Sequence, residues 1–346
     1  MTGAIAGSRE RTPGPPEPLA GGREGPWPLV AVVIVGYNGK ALLADCLRSV
    51  LDEDYPNKTV VYVDNASSDG SLSFVMGRFP SVVAIDSRGN LGYCGGNNIG
   101  IEVALANDAE FVLLLNPDTV VIKQDFIREL VRYAQGNAHV GKVGPTVYLR
   151  EKGVIQNTIL EWPAPLGSVG RRSTKPCSSS VRVAQEVESI NGCCVLIRSA
   201  ALREVGALDH QFWGYVDEAD WDWRAERKGW KRHYVPVESI VHLQRVDGYQ
   251  KGSRPDYLIK RNTALWFLKA GRPWSMLTWM AGTILLSAVR ALPRPWTRRS
   301  SASGVDFLKS LAREYLVILR AVPVKAFALG DRARPQLPIA GLRNDR

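Results

Sequence analysis

The sequence predicts an α/β fold, with a mostly parallel sheet flanked by helices and a helical C-terminal region. Short apolar runs typical of buried strands alternate with stretches in which apolar residues recur at helical spacing. Polar or glycine-rich turns close most of the runs. This alternation is typical of a parallel sheet that carries helices on both faces.

The first half of the chain supplies the strand and helix repeats. Strands are predicted at residues 29–35, 59–63, 82–85 and 111–115. Helices are predicted near residues 42–51 and 72–79, and a loop rich in glycine and asparagine over residues 89–100 leads into a helix that ends near residue 106. The run from Phe111 to Leu115 indicates a strand buried on both faces, and Pro117 then forces a turn.

The second half is less regular. The predicted elements are, in order, a helix over residues 124–134, strands over 143–149 and 189–197, helices over 199–205 and 220–228, and a strand-like segment over 239–243. Between the first two of these strands, prolines and glycines up to about residue 180 predict a long, mobile loop.

The net charge of +10 is unevenly distributed. Residues 246–346 carry 18 Lys and Arg against six Asp and Glu, so this region has a net charge of +12 and residues 1–245 sum to −2. Such a basic region suits nucleic acid or an anionic membrane surface. Residues 1–28 lack a continuous apolar core and predict a disordered leader. The five cysteines show no Cys-x-x-Cys spacing, which favours a reduced, cytoplasmic compartment.

Two common nucleotide-binding loops are excluded. A dehydrogenase-type domain needs Gly-x-Gly-x-x-Gly after its first strand, and the chain has Gly36-Tyr-Asn-Gly-Lys-Ala there. The Walker pattern is also absent. The sequence therefore predicts a nucleotide-type sheet that uses neither loop.

Three successive strand ends are polar. Asp118 follows the 111–115 strand, at the edge where open α/β sheets bind ligands, and a carboxylate there can hold a divalent cation and through it a phosphate. Asp64, Ser67 and Asp69 follow the second strand, where carboxylates can accept bonds from a base or a ribose hydroxyl. A loop rich in glycine and asparagine provides the third polar site, and its glycines let backbone N–H groups approach a ligand. The candidate residues of this loop are Asn90, Gly92, Gly95, Gly96, Asn97 and Asn98. Taken singly, each of these three polar strand ends is also explained by an ordinary turn that binds no ligand.

An acidic and aromatic segment over residues 212–224 is the candidate reaction centre, with four acids among three tryptophans and a tyrosine. A carboxylate among aromatic rings is partly desolvated and more basic, so Asp217 or Glu218 can serve as a general base. Acids before a helix also stabilise its positive end, which is the alternative for at least one of them. His242 is either a structural histidine or a second ligand to a metal held by Asp118.

These motifs, in this order, resemble the inverting nucleotide-sugar glycosyltransferases of family 2, which have a GT-A (Rossmann-like) fold. The most similar subgroup is rhamnosyltransferase-like, and the resemblance spans about residues 30–267. It rests on Val35-Gly-Tyr-Asn38, Val63-Asp-Asn-Ala-Ser-Ser-Asp-Gly70, Gly89-Asn-Leu-Gly-Tyr-Cys-Gly-Gly-Asn-Asn98, Leu114-Leu-Asn-Pro-Asp118 and Tyr215-Val-Asp-Glu-Ala-Asp-Trp221, with Gly229-Trp230, His242 and Arg261-Asn262 in support.

The resemblance implies residue roles. Asp64 corresponds to the carboxylate that reads the nucleobase, and Asp118 to the last acid of the Asp-x-Asp motif that binds metal and diphosphate, here with Asn116 in first position. Glu218 corresponds to the catalytic base. Asp217 is the alternative candidate for this role, because the family often has Glu-Asp at the two positions where this chain has Asp217-Glu218. The implied sets are donor-binding Tyr37, Asn38, Asp64, Ser67, Asp69, Asn90, Gly92, Gly95, Asn97, Asn98 and Asn116; metal-binding Asp118 and His242, for Mg²⁺ or Mn²⁺; and acceptor-binding Trp213, Asp220 and Trp221.

The implied reaction is a single displacement that inverts the sugar. The expected donor is dTDP-rhamnose, and the expected acceptor is a hydroxyl of a glycan or polyprenyl-linked molecule in bacterial polysaccharide or cell-wall assembly. A galactofuranosyl- or hexosyltransferase that uses a UDP-sugar is the alternative. A non-catalytic nucleotide-sugar-binding subunit is disfavoured because Asp118 and the acidic pair are all present. A homo-oligomer remains open.

The predicted domains are a leader (1–28), a GT-A catalytic domain (29–245), a helical, basic, membrane-associated region (246–334) and a tail (335–346). Residues 274–289 form an apolar run shorter than the roughly 20 residues of a spanning helix. Flanking Trp and Arg suit a helix that lies in the membrane interface, which predicts a peripheral protein on the inner face of the plasma membrane. A second helix is predicted over residues 305–321, and a helical pair packed on the catalytic domain is the alternative. Nucleic acid is not a predicted partner, because basic and aromatic residues do not interleave on a strand platform.

Overall fold

The computed structural model describes residues 26–149, 154–156, 159–160, 183–243 and 254–291. Most of the predicted leader, most of the predicted 150–180 loop, the 305–321 helix and the tail lie outside these residues. The described strands are β1 Val30–Gly36, β2 Lys58–Asp64, β3 Val83–Asp86, β4 Phe111–Leu115, β5 Thr119–Val121, β6 Val140–Leu149, β7 Val154–Gln156, β8 Ile159–Leu160, β9 Gln185–Glu186, β10 Ser189–Ile190, β11 Cys194–Arg198 and β12 Lys231–His242.

Eight α-helices accompany these strands within the described ranges. They are α1 Lys40–Leu51, α2 Ser71–Arg78, α3 Gly92–Ala106, α4 Phe126–Gly136, α5 Ser199–Val205, α6 Asp217–Arg227, α7 Arg254–Lys269 and α8 Pro273–Ala291. One turn of 3₁₀ helix covers His210–Phe212.

The main sheet has the strand order β3-β2-β1-β4-β11-β6-β12-β5. Strands β1 to β4 are parallel, and β6 and β12 run in the same direction because β11 is antiparallel to both β4 and β6. Only β11 and β5 oppose that direction along this path. The predicted α/β class with a mostly parallel, helix-flanked sheet is confirmed.

Strand β1 contributes to two hydrophobic cores, one on each face of the sheet. Ala31 and Val33 pack into the cluster on the α3 side, whereas Val30, Val32 and Ile34 pack on the side of α1 and α4. Residues Phe111–Leu115 of β4 are likewise buried throughout. A central strand covered on both faces has no polar side to show, which is why these runs are apolar at successive positions.

The glycine-rich segment was wrongly predicted as a loop, since α3 begins at Gly92. Its glycines serve the packing of α3 against the sheet. A Cβ on Gly96 would lie 2.5 Å from Cγ1 of Val35, and one on Gly100 would lie 2.2 Å from Cγ1 of Val33. Helix and sheet therefore approach more closely than a side chain would allow.

Several predicted boundaries differ from the structure. The 189–197 strand is divided into β10 and β11 by a turn at Asn191 to Cys193, and α6 begins at Asp217 rather than at residue 220. The strand-like 239–243 segment is the end of the longer β12. The predicted leader also extends too far, because Trp27 packs edge-on against Tyr55.

Helix α7 belongs to the same core as the sheet, although a domain boundary was predicted at residue 245. Its Leu265, Trp266 and Phe267 are fully buried in the cluster that also holds residues of β4 and α3. Helix α8 packs on α7 through Trp279, whose ring centroid lies 6.1 Å from that of Phe267. Within the described ranges, no helix combines the length and apolar character needed to cross a membrane.

Candidate active site

The carboxyl ends of β1, β2 and β4 lie at one edge of the sheet. Gly36 at the end of β1 is opposite Asp64 at the end of β2, and Ile34 is opposite Leu115 at the end of β4. The loops that follow these strands, which carry most of the predicted site residues, therefore begin side by side. Open α/β sheets bind their ligands at this edge.

The loops after β1 and β2 are joined by hydrogen bonds. The backbone N–H of Asn38 donates to Ser67 Oγ at 2.9 Å, and Asn38 Oδ1 accepts from the N–H of Ser68 at 2.8 Å. The N–H of Lys40 donates to Asp69 Oδ2 at 3.0 Å. The hydroxyl of Ser71 is the main cause that lowers the pKa of Asp69, so this linking group stays a carboxylate. Tyr37 remains exposed above the joined loops.

Asp64 is buried at the base of these loops. Its Oδ1 accepts from the hydroxyl of Tyr62 at 2.9 Å, and its Oδ2 accepts from the N–H of Ser67 at 2.8 Å. Each carboxylate oxygen can accept a second hydrogen bond, so the group keeps acceptor capacity toward a ligand.

Residues at the start of α3 have structural bonds instead of open positions. Asn90 Oδ1 accepts from the N–H of Gly92 at 3.0 Å. Asn97 is buried and donates to the carbonyl of Tyr93 at 2.9 Å. Asn98 binds both the N–H and the carbonyl of Leu208. Gly95 adjoins the side chain of Leu91, where a Cβ would lie only 2.5 Å from Leu91 Cβ.

Asp118 and His242 are brought together as predicted. His242 is opposite Thr119 in the β5–β12 pair, and its Nε2 lies 3.1 Å from Asp118 Oδ1. The side chain of Asp118 is 28% exposed, whereas that of His242 is 4% exposed. Among the described residues, His, Cys, Asp and Glu form no group of three that could hold a metal ion. The pair thus offers one carboxylate oxygen and one imidazole nitrogen at the ligand edge.

The acidic pair lies beside the turn between β10 and β11. Glu218 is half-buried, and its Oε1 faces the N–H of Gly192 at 3.4 Å. Asp217 is buried, and its Oδ2 accepts no hydrogen bond from the described residues. Burial, followed by the charge of Glu218, raises the pKa of Asp217 well above its ordinary value. The raised pKa favours the neutral form of Asp217.

Asn116 connects the end of the site that holds Asp118 and His242 to the acidic end. Its N–H donates to the carbonyl of Cys193 at 2.9 Å, and Cys193 follows Gly192 directly. Because β11 is antiparallel to β4, its first residues lie where β4 ends. Glu218 and Asp118 consequently flank the same strand end.

Two predicted acceptor-binding residues do not reach the site. Asp220 is fully buried and binds Arg224 and Lys269 at 2.9 and 2.5 Å. Trp221 is also fully buried, and its indole N–H donates to the carbonyl of Gly206 at 2.9 Å. Both hold α6 against the protein. Trp213 is partly exposed beside the acidic pair, with the guanidinium of Arg254 4.2 Å above its ring.

Tyr93 and Gly192 were not predicted as site residues. The hydroxyl of Tyr93 donates to the carbonyl of Gly192 at 2.7 Å, and burial raises the pKa of Tyr93, so the hydroxyl keeps its proton. A Cβ on Gly192 would lie 2.7 Å from this hydroxyl oxygen. Each residue lies in a short segment that is rich in glycine or asparagine and borders an apolar run. This pattern is the feature of the sequence that could have indicated a site at these positions.

The sequence matches a known family. The model of the family described as "Glycosyltransferase like family 2" matches residues 27–265. The described strands of the main sheet and the ligand edge all fall within this range.

Two curated relatives of this chain align with it over about three quarters of their own length. The low-salt glycan biosynthesis hexosyltransferase Agl10 of Haloferax volcanii is 33% identical over 242 residues, which are 68% of this chain and 74% of the relative. The N-acetylglucosaminyl-diphospho-decaprenol L-rhamnosyltransferase of Mycobacterium tuberculosis is 26% identical over 238 residues, 62% of this chain and 76% of the relative.

Solved structures share the fold. The Staphylococcus aureus TarS 1–349 complex with UDP-GlcNAc superposes with a TM-score of 0.54 at 14% identity, over 87% of this chain and 83% of TarS. GalNAc-T7 with UDP, GalNAc and Mn²⁺ superposes with a TM-score of 0.56 at 14% identity, over 87% of this chain and 58% of that protein.

Proposed function

The chain belongs to the glycosyltransferase-like family 2, and on this premise we propose that it moves a sugar, with inversion, from a nucleoside diphosphate donor to a hydroxyl of a glycan or lipid-linked acceptor. One observation carries the proposal. Glu218 adjoins Gly192, and the next residue, Cys193, accepts a hydrogen bond from Asn116 just after β4. A carboxylate therefore lies beside the strand end that leads to Asp118, whose side chain contacts His242 at the end of β12.

The proposed chemistry is a single displacement. Glu218 takes the proton of the acceptor hydroxyl, and the oxygen attacks the anomeric carbon on the face opposite the nucleotide. The new carbon–oxygen bond forms as the bond from that carbon to the diphosphate breaks, and the diphosphate leaves with the electron pair. Burial raises the pKa of Asp217 and so favours its neutral form, which would add no second negative charge next to Glu218.

Asp118 and His242 fit a divalent metal, Mg²⁺ or Mn²⁺. Their oxygen and nitrogen lie 3.1 Å apart at the ligand edge, and the carboxylate is a type of ligand that suits both ions. Since the described residues supply no third protein ligand beside them, the remaining positions would be filled by diphosphate oxygens and water. A bound metal would neutralise the charge that develops on the departing diphosphate. The similar fold of GalNAc-T7, solved with Mn²⁺, supports this assignment.

The donor we favour is dTDP-rhamnose, with the nucleotide held by the joined loops around Asp64 and by Tyr37. The rhamnosyltransferase of M. tuberculosis among the relatives supports this choice. Agl10 is a hexosyltransferase and TarS was solved with UDP-GlcNAc, which support the alternative of a hexose or galactofuranose from a UDP-sugar.

The acceptor side of the site is assigned to Trp213, and the acceptor is proposed to be lipid-linked, like the diphospho-decaprenol named for the mycobacterial relative. Helix α8 supports a membrane-facing position on the inner face of the plasma membrane. Its Trp274 and Leu277 are 78% and 46% exposed, while Met276, Trp279 and Met280 face inward.

The test is hydrolysis and binding of a panel of nucleotide sugars, with Mg²⁺, Mn²⁺ or EDTA, in wild type, Glu218→Gln and Asp217→Asn. We expect one donor to bind and turn over. Glu218→Gln should lose on the order of 10²- to 10⁴-fold in turnover while it retains binding, as expected for a lost general base. Asp217→Asn mimics the protonated acid and should stay within about tenfold of wild type.

Other outcomes reject parts of the proposal. Turnover that survives in Glu218→Gln but is lost in Asp217→Asn makes Asp217 the base. Donor binding without turnover in any variant favours the non-catalytic nucleotide-sugar-binding subunit. Failure of every nucleotide sugar to bind removes the proposed function.

A further inference from the structure

The segment before the acidic pair has an unusual backbone. Trp213, Tyr215 and Val216 adopt φ angles of +62°, +68° and +65°, and none of them is glycine. Positive φ is uncommon for such residues and is a genuine outlier for a β-branched one such as Val216. These conformations cost free energy and persist only where the surroundings impose them. Asp217 follows this segment directly.

Four successive carbonyls of this segment are bound by other parts of the protein. The side-chain amide of Asn262 in α7 donates to the carbonyls of Phe212, Gly214 and Tyr215 at 2.7, 2.8 and 2.8 Å. The remaining carbonyl, that of Trp213, accepts from the N–H of Cys94 in α3 at 3.2 Å. The segment is therefore held between α7 and α3.

The orientation of the Asn262 amide follows from its partners. Its nitrogen faces three carbonyl oxygens, which accept but cannot donate, and its Oδ1 accepts from Nη1 of Arg261 at 2.8 Å. The same guanidinium nitrogen donates to the carbonyl of Gln211 at 2.7 Å. Asn262 is fully buried, so water cannot replace its bonds. A residue without an amide N–H would leave up to three buried carbonyls without this donor.

We propose that Asn262 is a positioning residue, which fixes the strained 213–216 segment and thereby places the carboxylate of Glu218 against the acceptor hydroxyl. Asn262 itself does not touch the substrate. Its side chain acts on the backbone that precedes the first turn of α6, where Glu218 is the second residue. The effect on catalysis rests on the proposed function, whereas the effect on the segment does not.

A positioning role has a kinetic signature. Asn262 donates its hydrogen bonds to the carbonyls of Phe212, Gly214 and Tyr215 and none of them to the loops around Asp64 and Asn38. We therefore expect donor binding to depend much less on Asn262 than turnover does. A shift of the base by about 1 Å can reduce a reaction rate about 100-fold. We therefore expect Asn262→Leu, which has a similar shape and no donor, to lower kcat about 100-fold with a donor KM within about threefold of wild type.

Thr263→Val provides the matched control. Thr263 is equally buried in the same helix, and its hydroxyl donates to the carbonyl of Ile259 within α7. Its loss tests whether any change in the buried face of α7 lowers turnover. A fall in kcat in Thr263→Val as large as that in Asn262→Leu would overturn the proposal.

A second measurement does not require activity. Hydrogen exchange of the peptide over residues 210–220 should be faster in Asn262→Leu than in wild type and Thr263→Val. The proposal would be overturned if Asn262→Leu exchanged at the wild-type rate. It would also be overturned if the wild type is active and Asn262→Leu has the same kcat. If the wild type turns over no donor, the proposed function fails while the exchange result still decides whether Asn262 holds the segment.

Asn262→Gln carries the test if Asn262→Leu does not fold. It keeps the amide donor but displaces it by one methylene, about 1.5 Å. We expect kcat to fall on the order of tenfold with donor KM maintained, because the segment shifts without being released. A kcat equal to that of wild type would contradict the proposal.

Discussion

Oδ1 of Asp118 lies 3.1 Å from Nε2 of His242, although 124 positions separate the two residues in sequence. The antiparallel pairing of β5 with β12 creates this proximity, because Thr119 is opposite His242. Asp118 is also anchored through its carbonyl, which accepts from the N–H of Leu243 at 2.8 Å. The pair is therefore set by the register of the two strands.

The first prediction concerns this pair. His242→Gln should weaken Mn²⁺ binding, measured by calorimetry with the nucleoside diphosphate present, by at least about tenfold, since even indirect supports of a metal ligand cost 10–100-fold when lost. His233→Gln is the control, because His233 lies in the same strand and is bonded through Nδ1 to the Tyr133 hydroxyl. Equal Mn²⁺ affinity in wild type and His242→Gln would exclude His242 as a ligand.

A second prediction concerns the contact of α3 with the sheet. Gly100→Ala should lower the free energy of unfolding by about 1–3 kcal/mol, because the new Cβ would lie 2.2 Å from Cγ1 of Val33, a β-branched side chain with little rotamer freedom. Gly77→Ala in α2 is the control, since its Cβ would meet nothing within 4 Å. That change should be neutral or stabilise by up to about 1 kcal/mol. Urea unfolding measures both, and equal stability of the two variants would contradict the close packing.

A third prediction concerns pH and stability. Burial raises the pKa of Glu53 from 4.5 to about 7, although Lys58 and the N–H groups of Tyr55 and Ile127 oppose the rise. A raised pKa in the folded state means that folding favours the protonated acid. The stabilising contribution is complete below pH 4.5 and is lost as the pH rises through 7. The unfolding free energy should therefore fall between pH 5 and pH 8, by at most about 3 kcal/mol from this group.

Glu53→Gln should flatten this pH dependence, as measured by urea unfolding at several pH values. Asp54→Asn is the control, because Asp54 is the exposed neighbour in sequence. A slope that is the same in wild type and Glu53→Gln would show that other groups cause it.

A fourth prediction concerns membrane binding. Trp274→Ser should weaken co-sedimentation with vesicles that contain anionic lipid, because this exposed indole can enter the membrane interface. Met76→Ser, at another exposed apolar residue (62% exposed), should leave binding unchanged. If wild type and Trp274→Ser bind equally, Trp274 does not contribute to docking; if wild type does not bind, the proposed membrane association is wrong.

The sheet could be predicted from the sequence because its strands are buried on both faces and are therefore continuously apolar, as in β1 and β4. Helix α3 was missed at its start because its glycines and asparagines have low helix propensity. Their value lies in contacts with Val33, Val35 and Leu208, which no local pattern reveals. Tertiary packing overrides propensity at these positions.

Strand-end positions predicted the site partly. Asp118 and His242 were predicted to lie together because each follows an apolar segment, where a polar side chain is conspicuous, and the structure does place them in contact. Asp220 and Trp221 were assigned wrongly, because an acid or a tryptophan in an active-site segment has the same letters whether it faces a ligand or a partner such as Lys269. Asn262 was noted only as part of the resemblance and was given no role, since its partners are backbone carbonyls about 50 residues away in sequence.

The hydrogen bond from Asn116 to Cys193 fixes how far the proposed metal ligands, Asp118 and His242, lie from the proposed base, Glu218, because this distance depends on the register of β11 on β4. A slip of β11 along β4 by one position would move Gly192 by about 3.4 Å and reverse the faces of its neighbours. Strand pairing can thus change this distance only in coarse steps. Side-chain length provides the finer step: Glu in place of Asp at position 218 extends the carboxylate by about one carbon–carbon bond, 1.5 Å. If Glu218 is the base, as proposed, the Asp-Glu order in this chain would extend its reach toward an acceptor without changing how the donor is held.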